Sequence, residues 1–514
     1  MPEARPEVAG ARRVQFTAAA LGGALYFLGY LGWGVWPCLL VFLAPLWAAL
    51  DAAAPERARV ALLIGMTFGV TAYAGGFLWL WYLVATFLDG NRAFGVLLWV
   101  LFGLWFASGY ALYALVFRHI RRRGWPIVVA GVPPLLVLEW LQPQLFPLYA
   151  GAGLVPAPLL VQTADLGGPL LLTALLGAPS LALLATWQWW RGQRPRPRAT
   201  WIGTLALALA VVAYGWWRLG GVDAAVRDAP VLRVGVVQAN LGIMEKETQA
   251  VVTHKRHLDQ TRELLAEGPL DLVVWPETAY VRALRRPLPI SGQLVREDLG
   301  VPLLFGAGSV SEEAGRRQST NAAFLVGADG MIRTAYDKNL LIPFAEYVPF
   351  AGLVPSLARW FPHVGRFRAS TETPALVLGS WRIAAPICYE VIRPEFVRRM
   401  MRAPHPHLLV TLANDAWFGD SDEPWLHLGL AQLRAVEQRR YLIRATNSGV
   451  SAVVDPAGRL VVRSGLFTRE NLRATVHPLE GGTPYARLGD WPGWLALALM
   501  LVGLVRAAPV RRRG

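Results

Sequence analysis

Eight apolar stretches of roughly membrane-spanning length constrain the fold of this chain more than any other sequence feature. They lie approximately at residues 16–34, 35–50, 60–88, 93–117, 126–142, 168–190, 200–217 and 491–507. A helix needs about 20 apolar residues to cross a bilayer, so the sequence predicts a polytopic α-helical membrane domain. The second and fifth stretches are short and contain prolines, which predicts tilted or kinked helices there.

The composition also indicates a membrane protein. Hydrophobic residues make up 54% of the 514 residues and charged residues only 17%, which is unusually apolar for a soluble protein. The 22 tryptophans suit rings that lie at membrane interfaces. The net charge of +15 comes from short arginine clusters beside apolar stretches, which indicates membrane topology and contact with lipid headgroups and not nucleic-acid binding.

The arginine clusters predict the orientation in the membrane. They lie at residues 12–13, 57–59, 118–123, 191–198 and 511–513. If the N-terminus is cytoplasmic and each apolar stretch crosses once, every cluster falls on the cytoplasmic side, as the positive-inside rule requires. The same count predicts a multi-pass protein with residues 218–488 outside the cytoplasmic membrane.

Between the seventh and eighth apolar stretches, the pattern changes to short apolar strands that alternate with amphipathic helical segments, which predicts an α/β domain. We therefore expect membrane helices at 1–220, an extracytoplasmic α/β domain at 228–480, and a last helix with a basic cytoplasmic tail at 488–514. Three predicted strands of the α/β domain end next to Glu277, Lys338 and Cys388. Strand ends line the crevice where α/β folds bind ligands.

Cys388 lies between an apolar strand, 381–387, and a predicted helix start near Pro394. Such a turn directs unpaired backbone N–H groups towards a reacting group. Two interpretations stay open from these residues alone, a nucleophilic thiol and a small buried hydrophobe. Glu277 and Lys338 alone likewise fit either a catalytic pair or a structural ion pair. The other cysteine, Cys38, lies within an apolar stretch and is expected to be inert.

Longer motifs around these positions resemble the nitrilase superfamily and, within it, the apolipoprotein N-acyltransferases. The matching segments are 338–349 (KNLLIPFAEYVP), 387–390 (ICYE), 413–420 (ANDAWFGD) and 444–449 (RATNSG). The resemblance implies a nitrilase-like αββα sandwich, also called a CN hydrolase domain, inserted before the last of eight spans. It also implies a bacterial inner-membrane protein with this catalytic domain on the periplasmic side. It implies catalytic roles for Cys388 as nucleophile, Glu277 as general base and Lys338 as the cation that stabilises the oxyanion, assisted by the backbone N–H of Tyr389.

The implied reaction is a ping-pong acyl transfer without metal or cofactor. A fatty acyl chain passes from a glycerophospholipid, commonly phosphatidylethanolamine, to Cys388 as a thioester. It then passes to the α-amino group of the N-terminal S-diacylglyceryl-cysteine of a lipoprotein. The partners expected from the resemblance are therefore these two lipids within the membrane, with the protein itself a monomer.

Further residues in these motifs have supporting roles, each with a structural alternative. Glu346 either orients Lys338 and assists proton movement or is a surface carboxylate. Tyr389 and Glu390 either shape the pocket or pack the core. Asn414 is predicted to hold the cysteine turn by a hydrogen bond, and Trp417 to lie on the acyl path or in the core.

Two other functions stay open at this point, a membrane-tethered amidase or nitrilase that hydrolyses a small amide, and a non-catalytic lipid-binding scaffold. Two membrane-proximal features also have alternatives. Glu139, in the fifth apolar stretch, is either structurally paired or a substrate contact, and the loop 143–167 is either a connector or a cap on a lipid entrance. Prolines and aromatic residues in 341–375 predict a mobile lid that dips into the membrane.

Overall fold

A computed structural model describes residues 6–87, 92–242, 249–313, 316–354, 356, 359, 367–402 and 405–507. The chain forms two compact units, and each is described by itself. The first comprises Met1–Leu219, Ser421–Gly429 and Arg487–Gly514, and the second comprises Gly220–Asp420 and Leu430–Ala486.

The first unit is helical. Its helices in chain order are α1 (Pro6–Gly29), α2 (Leu43–Ala53), α3 (Ala58–Gly76), α4 (Leu78–Phe87), α5 (Arg92–Arg122), α6 (Ile127–Leu141), α7 (Pro158–Val161), α8 (Ala164–Trp190) and α9 (Arg198–Asp228), which ends in the second unit. The last long helix, Trp491–Val505, also belongs to it. Short 3₁₀ turns lie at Trp36–Leu40 and Ala150–Leu154.

Within the described residues, five segments are long and apolar enough to cross a membrane. They are Trp36–Ala53, Ala58–Gly76, Gly95–Arg122, Ala164–Trp190 and Arg198–Asp228. The apolar helices Ile127–Leu141 and Trp491–Val505 are shorter. The expected polytopic helical domain is thus confirmed, while the number of eight spans stays a prediction.

Glu139 is buried and paired within the helical unit. Its Oε1 accepts a hydrogen bond from the backbone N–H of Ala150 at 2.9 Å, and its Oε2 accepts one from the hydroxyl of Thr173 at 2.7 Å. The turn Ala150–Leu154 is itself buried, so this part of the predicted loop is packed inside the unit. These contacts favour the structural interpretation of Glu139, because an intramembrane carboxylate is costly unless it is hydrogen-bonded.

The second unit is an α/β domain with two mixed sheets. Its strands are β1 (Leu232–Gln238), β2 (Leu272–Val274), β3 (Tyr280–Arg285), β4 (Ile290–Ser291), β5 (Leu303–Glu313), β6 (Arg316–Val326), β7 (Met331–Asp337), β8 (Leu376–Leu378), β9 (Trp381–Ala384), β10 (Leu408–Ala413), β11 (Leu442–Thr446), β12 (Ala452–Val454), β13 (Leu460–Arg463) and β14 (Glu470–Val476). The first sheet has the order β14-β1-β2-β5-β6-β7-β4, with β3 beside β5, and the second has the order β13-β12-β11-β10-β9-β8.

The helices of this chain region are α10 (Ala250–Ala266), α11 (Gln293–Arg296), α12 (Pro394–Arg402), α13 (Glu423–Gln438) and α14 (Pro484–Leu488), followed by α15 (Trp491–Val505). Helix α10 begins at Ala250, and residues 243–248 lie outside the described part of the chain. Helix α12 begins at the predicted proline, which suits the first turn because the N–H that proline lacks has no partner there in any helix.

Parallel pairing explains why polar residues gather at one edge of each sheet. In the first sheet β2 runs parallel to β1 and β5, and in the second sheet β10 runs parallel to β9 and β11. Every residue of β10 is buried, as expected for a parallel strand covered on both faces. Glu277 follows the end of β2, Asn414 the end of β10, and Cys388 the end of β9 after a short connection.

Candidate functional site

Cys388 occupies a strained turn. Strand β9 ends at Ala384, earlier than the predicted 387, and Cys388 begins a 3₁₀ turn that extends to Ile392. The φ angle of Cys388 is +52°, a left-handed conformation that costs free energy in a residue with a Cβ and is often found at functional sites. Only 7% of Cys388 is exposed. The sulfur is therefore held rigidly and largely shielded from water.

The carboxylate of Glu390 is hydrogen-bonded to the backbone of this turn. Its Oε2 accepts a hydrogen bond from the backbone N–H of Ile387 at 2.8 Å. Its Oε1 accepts hydrogen bonds from the backbone N–H groups of Asn339 at 2.6 Å and Leu340 at 3.0 Å, in the loop after Lys338. Glu390 is fully buried. One carboxylate thus connects the loop that carries the lysine to the turn that carries the cysteine.

Lys338 lies between two carboxylates. Its Nζ is 2.8 Å from Oε1 of Glu346 and 3.4 Å from Oε1 of Glu277. Only 1% of Lys338 is exposed, and its backbone N–H donates to the carbonyl of Asn321 at 2.8 Å, which continues the pairing of β7 with β6. The structure therefore brings Glu277, Lys338 and Glu346 together, although 61 residues separate the first two.

Asn321 is a site residue that the sequence analysis did not identify. Its Nδ2 donates to Oε1 of Glu277 at 2.7 Å and to Oε1 of Glu346 at 3.3 Å. Asn321 is one residue along β6 from Ala322, which pairs with Asp337. The register therefore places the asparagine beside the lysine loop. An asparagine within a predicted apolar strand was a signal, but only the pairing of the two strands shows what it faces.

The site favours a protonated thiol and a charged lysine at rest. Burial raises the pKa of Cys388 well above its usual range, the negative charge of Glu277 raises it further, and the charge of Lys338 opposes both. Burial alone would lower the pKa of Lys338, but the charges of Glu277 and Glu346 outweigh this and raise it. The thiol therefore needs a base when it reacts, and the carboxylate of Glu277 is close enough for its charge to act on the thiol.

The remaining predicted residues are Tyr389, Asn414 and Trp417. Tyr389 is buried, and its hydroxyl lies 3.5 Å from Nη1 of Arg393. The Oδ1 of Asn414 accepts a hydrogen bond from Nδ2 of Asn447 at 3.3 Å, so the partner given by the structure lies at the end of β11 and not in the cysteine turn. Trp417 is half-buried in the 3₁₀ turn Asp415–Phe418. Their roles in catalysis stay predictions.

The chain resembles known families along most of its length. Residues 233–480 match the family described as carbon-nitrogen hydrolase, and residues 22–181 match the apolipoprotein N-acyltransferase N-terminal domain. The first match confirms the nitrilase-like fold of the second unit. The yeast protein Nit3, a member of branch 10 of the nitrilase superfamily, aligns with 48% of this chain and 90% of its own at 16% identity and a TM-score of 0.38, a likeness too distant to add to the argument.

Curated relatives match over nearly the whole length. The apolipoprotein N-acyltransferase of Azotobacter vinelandii is 35% identical, with 96% of this chain and 95% of the relative covered. That of Geobacter metallireducens is 31% identical, with 99% and 98% covered. These bacterial relatives and the apolar helices of the first unit indicate a bacterial membrane protein. The chain belongs to the apolipoprotein N-acyltransferase family.

Proposed function

We propose that this protein transfers a fatty acyl chain from a glycerophospholipid to the N-terminal amine of a diacylglyceryl lipoprotein. The observation that carries the proposal is the buried cluster in which a lysine lies between two carboxylates beside a thiol at a strained turn. Electrostatic coupling of Cys388 to Glu277, Lys338 and Glu346 supports a common site for these four groups. The printed names of full-length relatives support the choice of substrates.

In the first half-reaction the sulfur of Cys388 attacks the ester carbonyl of the phospholipid, and Glu277 takes the thiol proton. The carbonyl oxygen becomes an oxyanion, which Lys338 stabilises as a fixed positive charge in a water-poor site. The backbone N–H of Tyr389 is proposed as a second donor. When the oxyanion collapses, the bond to the glycerol oxygen breaks, and Glu277 returns the proton to that oxygen. The products are a lysophospholipid and an acyl thioester on Cys388.

In the second half-reaction the α-amino group of the lipoprotein attacks the thioester carbonyl. Glu277 accepts a proton from the attacking amine, and Lys338 again faces the oxyanion. Collapse breaks the carbon–sulfur bond, the amide is released, and the proton held by Glu277 returns to the sulfur. Both halves thus use the same carboxylate as base and acid, and Cys388 ends as the thiol with which it began.

Both proposed substrates are lipids, so a site beside the membrane would keep them near the thiol. We propose phosphatidylethanolamine as donor, a monomeric enzyme, and a catalytic domain on the periplasmic side, in line with the arginine distribution. An exposed apolar segment after Lys338 supports membrane contact, since 72% of Phe350 and 82% of Leu353 are exposed. Of the aromatic residues in the predicted lid, Trp360 and Phe361 lie outside the described residues.

The test is the intact mass of the protein after incubation with phosphatidylethanolamine vesicles. We expect a mass increase of one acyl chain on Cys388, and its loss when a synthetic diacylglyceryl peptide is added. Cys388→Ala is expected to abolish the adduct, whereas Cys38→Ala retains it and serves as the matched control. Release of free fatty acid or of ammonia from an amide without transfer would support an amidase instead. Full lipoprotein maturation by Cys388→Ala would support a non-catalytic scaffold.

A further inference from the structure

A buried tyrosine outside the predicted site contacts the carboxylate that connects the cysteine turn to the lysine loop. The hydroxyl of Tyr336, near the end of β7, lies 2.7 Å from Oε1 and 2.7 Å from Oε2 of Glu390. Both side chains are fully buried. A hydroxyl carries a single proton, so it donates to one oxygen at a time and shares the proton between them.

Glu390 is hydrogen-bonded to both the lysine loop and the cysteine turn, so its position affects how far apart these two segments lie. Its Oε1 accepts hydrogen bonds from the backbone N–H groups of Asn339 and Leu340, which directly follow Lys338. Its Oε2 accepts one from the backbone N–H of Ile387, which directly precedes Cys388. A shift of this carboxylate would therefore move the lysine loop and the cysteine turn relative to each other. Displacement of a catalytic group by about 1 Å costs about 100-fold in rate in other enzymes.

The charge of Glu390 matters as much as its place. An ionised carboxylate accepts hydrogen bonds at both oxygens, whereas a protonated one must donate from one of them, and the groups around Glu390 are themselves donors. Burial raises the pKa of Glu390 to about 7, while the backbone N–H groups, Lys338 and the hydroxyl of Tyr336 lower it. Besides Glu390, the positive charge of Arg399 from α12 acts on Tyr336 and lowers its pKa.

We propose that Tyr336 is a positioning residue for acyl transfer. Its hydroxyl keeps Glu390 ionised and in place, so that Lys338 and Cys388 stay at their working distance near neutral pH. This inference rests on the function proposed above for the same site. The residue touches neither substrate nor sulfur, and its action passes through Glu390.

The experiment is the substitution Tyr336→Phe, which removes one oxygen and leaves the ring to fill its buried place. We expect kcat at pH 7 to fall about fivefold, because a rise of about one unit in a pKa of about 7 leaves about a tenth of Glu390 ionised at that pH, with KM for donor and acceptor within about twofold because neither is contacted. The acid limb of the kcat profile is expected to move up by about one pH unit, with recovery near pH 9. An unchanged profile, or an equal loss at every pH, would overturn the proposal.

Alkylation of Cys388 by iodoacetamide, followed by mass in a Cys38→Ser background, gives a readout that does not depend on acyl transfer. We expect Tyr336→Phe to change the rate of alkylation below pH 7 more than above pH 9. If the unsubstituted protein forms no acyl adduct but the alkylation profile still moves, the proposed function fails and the role of Tyr336 stands. An alkylation profile that does not move contradicts the role of Tyr336 whatever the reaction is.

Two further variants separate this role from simple packing. Tyr441→Phe removes a hydroxyl from another buried tyrosine of the same domain and is expected to leave kcat and its pH profile unchanged. Replacement of Tyr336 by 3-fluorotyrosine keeps the shape but makes the phenol a stronger donor, so the acid limb is expected to move to lower pH. A shift to higher pH, or an effect of Tyr441→Phe equal to that of Tyr336→Phe, would show that only packing is involved.

Discussion

The ammonium group of Lys338 lies 2.8 Å from the carboxylate of Glu346 and is thus closer to it than to Glu277, at 3.4 Å. The two carboxylates therefore have different tasks available to them. In the proposed mechanism Glu277 takes up the thiol proton and loses its charge, and Lys338 then still has an anionic partner. A buried cation that lost its only counter-charge would be strongly destabilised, so Glu346 allows Glu277 to act as a base without disrupting the site.

This division of roles predicts that the two carboxylates respond differently to substitution. Glu277→Gln removes the base, so the rate of acyl-adduct formation is expected to fall about 10²- to 10⁴-fold. Glu346→Gln keeps the shape and weakens the hold on Lys338, and a smaller loss of about 10- to 100-fold is expected. The measurement is single-turnover formation of the adduct by mass. A larger loss in Glu346→Gln than in Glu277→Gln would reverse the assignment of the base.

The pH dependence of the thiol provides an independent check on the charges around it. Because burial and Glu277 raise the pKa of Cys388, alkylation by iodoacetamide is expected to be slow at pH 7 and to rise only under alkaline conditions. Glu277→Gln removes a negative neighbour, so the thiolate becomes easier to form and the alkylation profile moves to lower pH. The same variant is expected to lose acyl transfer. A thiol that titrates below pH 8 in the unsubstituted protein would contradict this description.

Asn321 is predicted to matter because its amide donates to both carboxylates. Asn321→Ala removes these donors and is expected to slow adduct formation about 10-fold, and Asn321→Asp is expected to be worse because it adds a third negative charge beside Glu277 and Glu346. The control is Asn471→Ala, whose side chain contacts Gln260 and Glu263 elsewhere in the domain. Equal activity of Asn321→Asp and the unsubstituted protein would exclude a role for this bridge.

The exposed apolar residues after Lys338 predict a dependence on the bilayer. Phe350→Ser with Leu353→Ser is expected to reduce transfer from phosphatidylethanolamine vesicles at least about tenfold, because each exposed side chain that enters a lipid phase contributes about 1.5–3 kcal/mol and about 1.4 kcal/mol is a factor of ten. With a soluble short-chain phospholipid the rate is expected to be unchanged. Leu294→Ser, at a leucine that is 79% exposed on α11, is the control. A loss that is equal with both donors would argue against membrane contact.

The sequence alone predicted the helical membrane domain, the nitrilase-like domain and the three residues proposed for catalysis. These features are carried by patterns along the chain. Apolar runs report burial in lipid or core, and the motifs around Glu277, Lys338 and Cys388 each lie within a short segment. It did not predict the end of β9 at Ala384 or the left-handed backbone of Cys388, because short apolar runs do not show where a strand ends.

Only the tertiary structure decided which partners the polar residues have. Asn321 and Tyr336 lie within strands, and the sequence does not show what either side chain faces, yet strand pairing directs one to Glu277 and the other to Glu390. Glu139 had two interpretations until the fold placed Ala150 and Thr173 beside it. The pattern of apolar residues along the chain predicts which segments are buried. The hydrogen-bond partner of each of these polar residues lies on a distant segment, and only folding brings the two together.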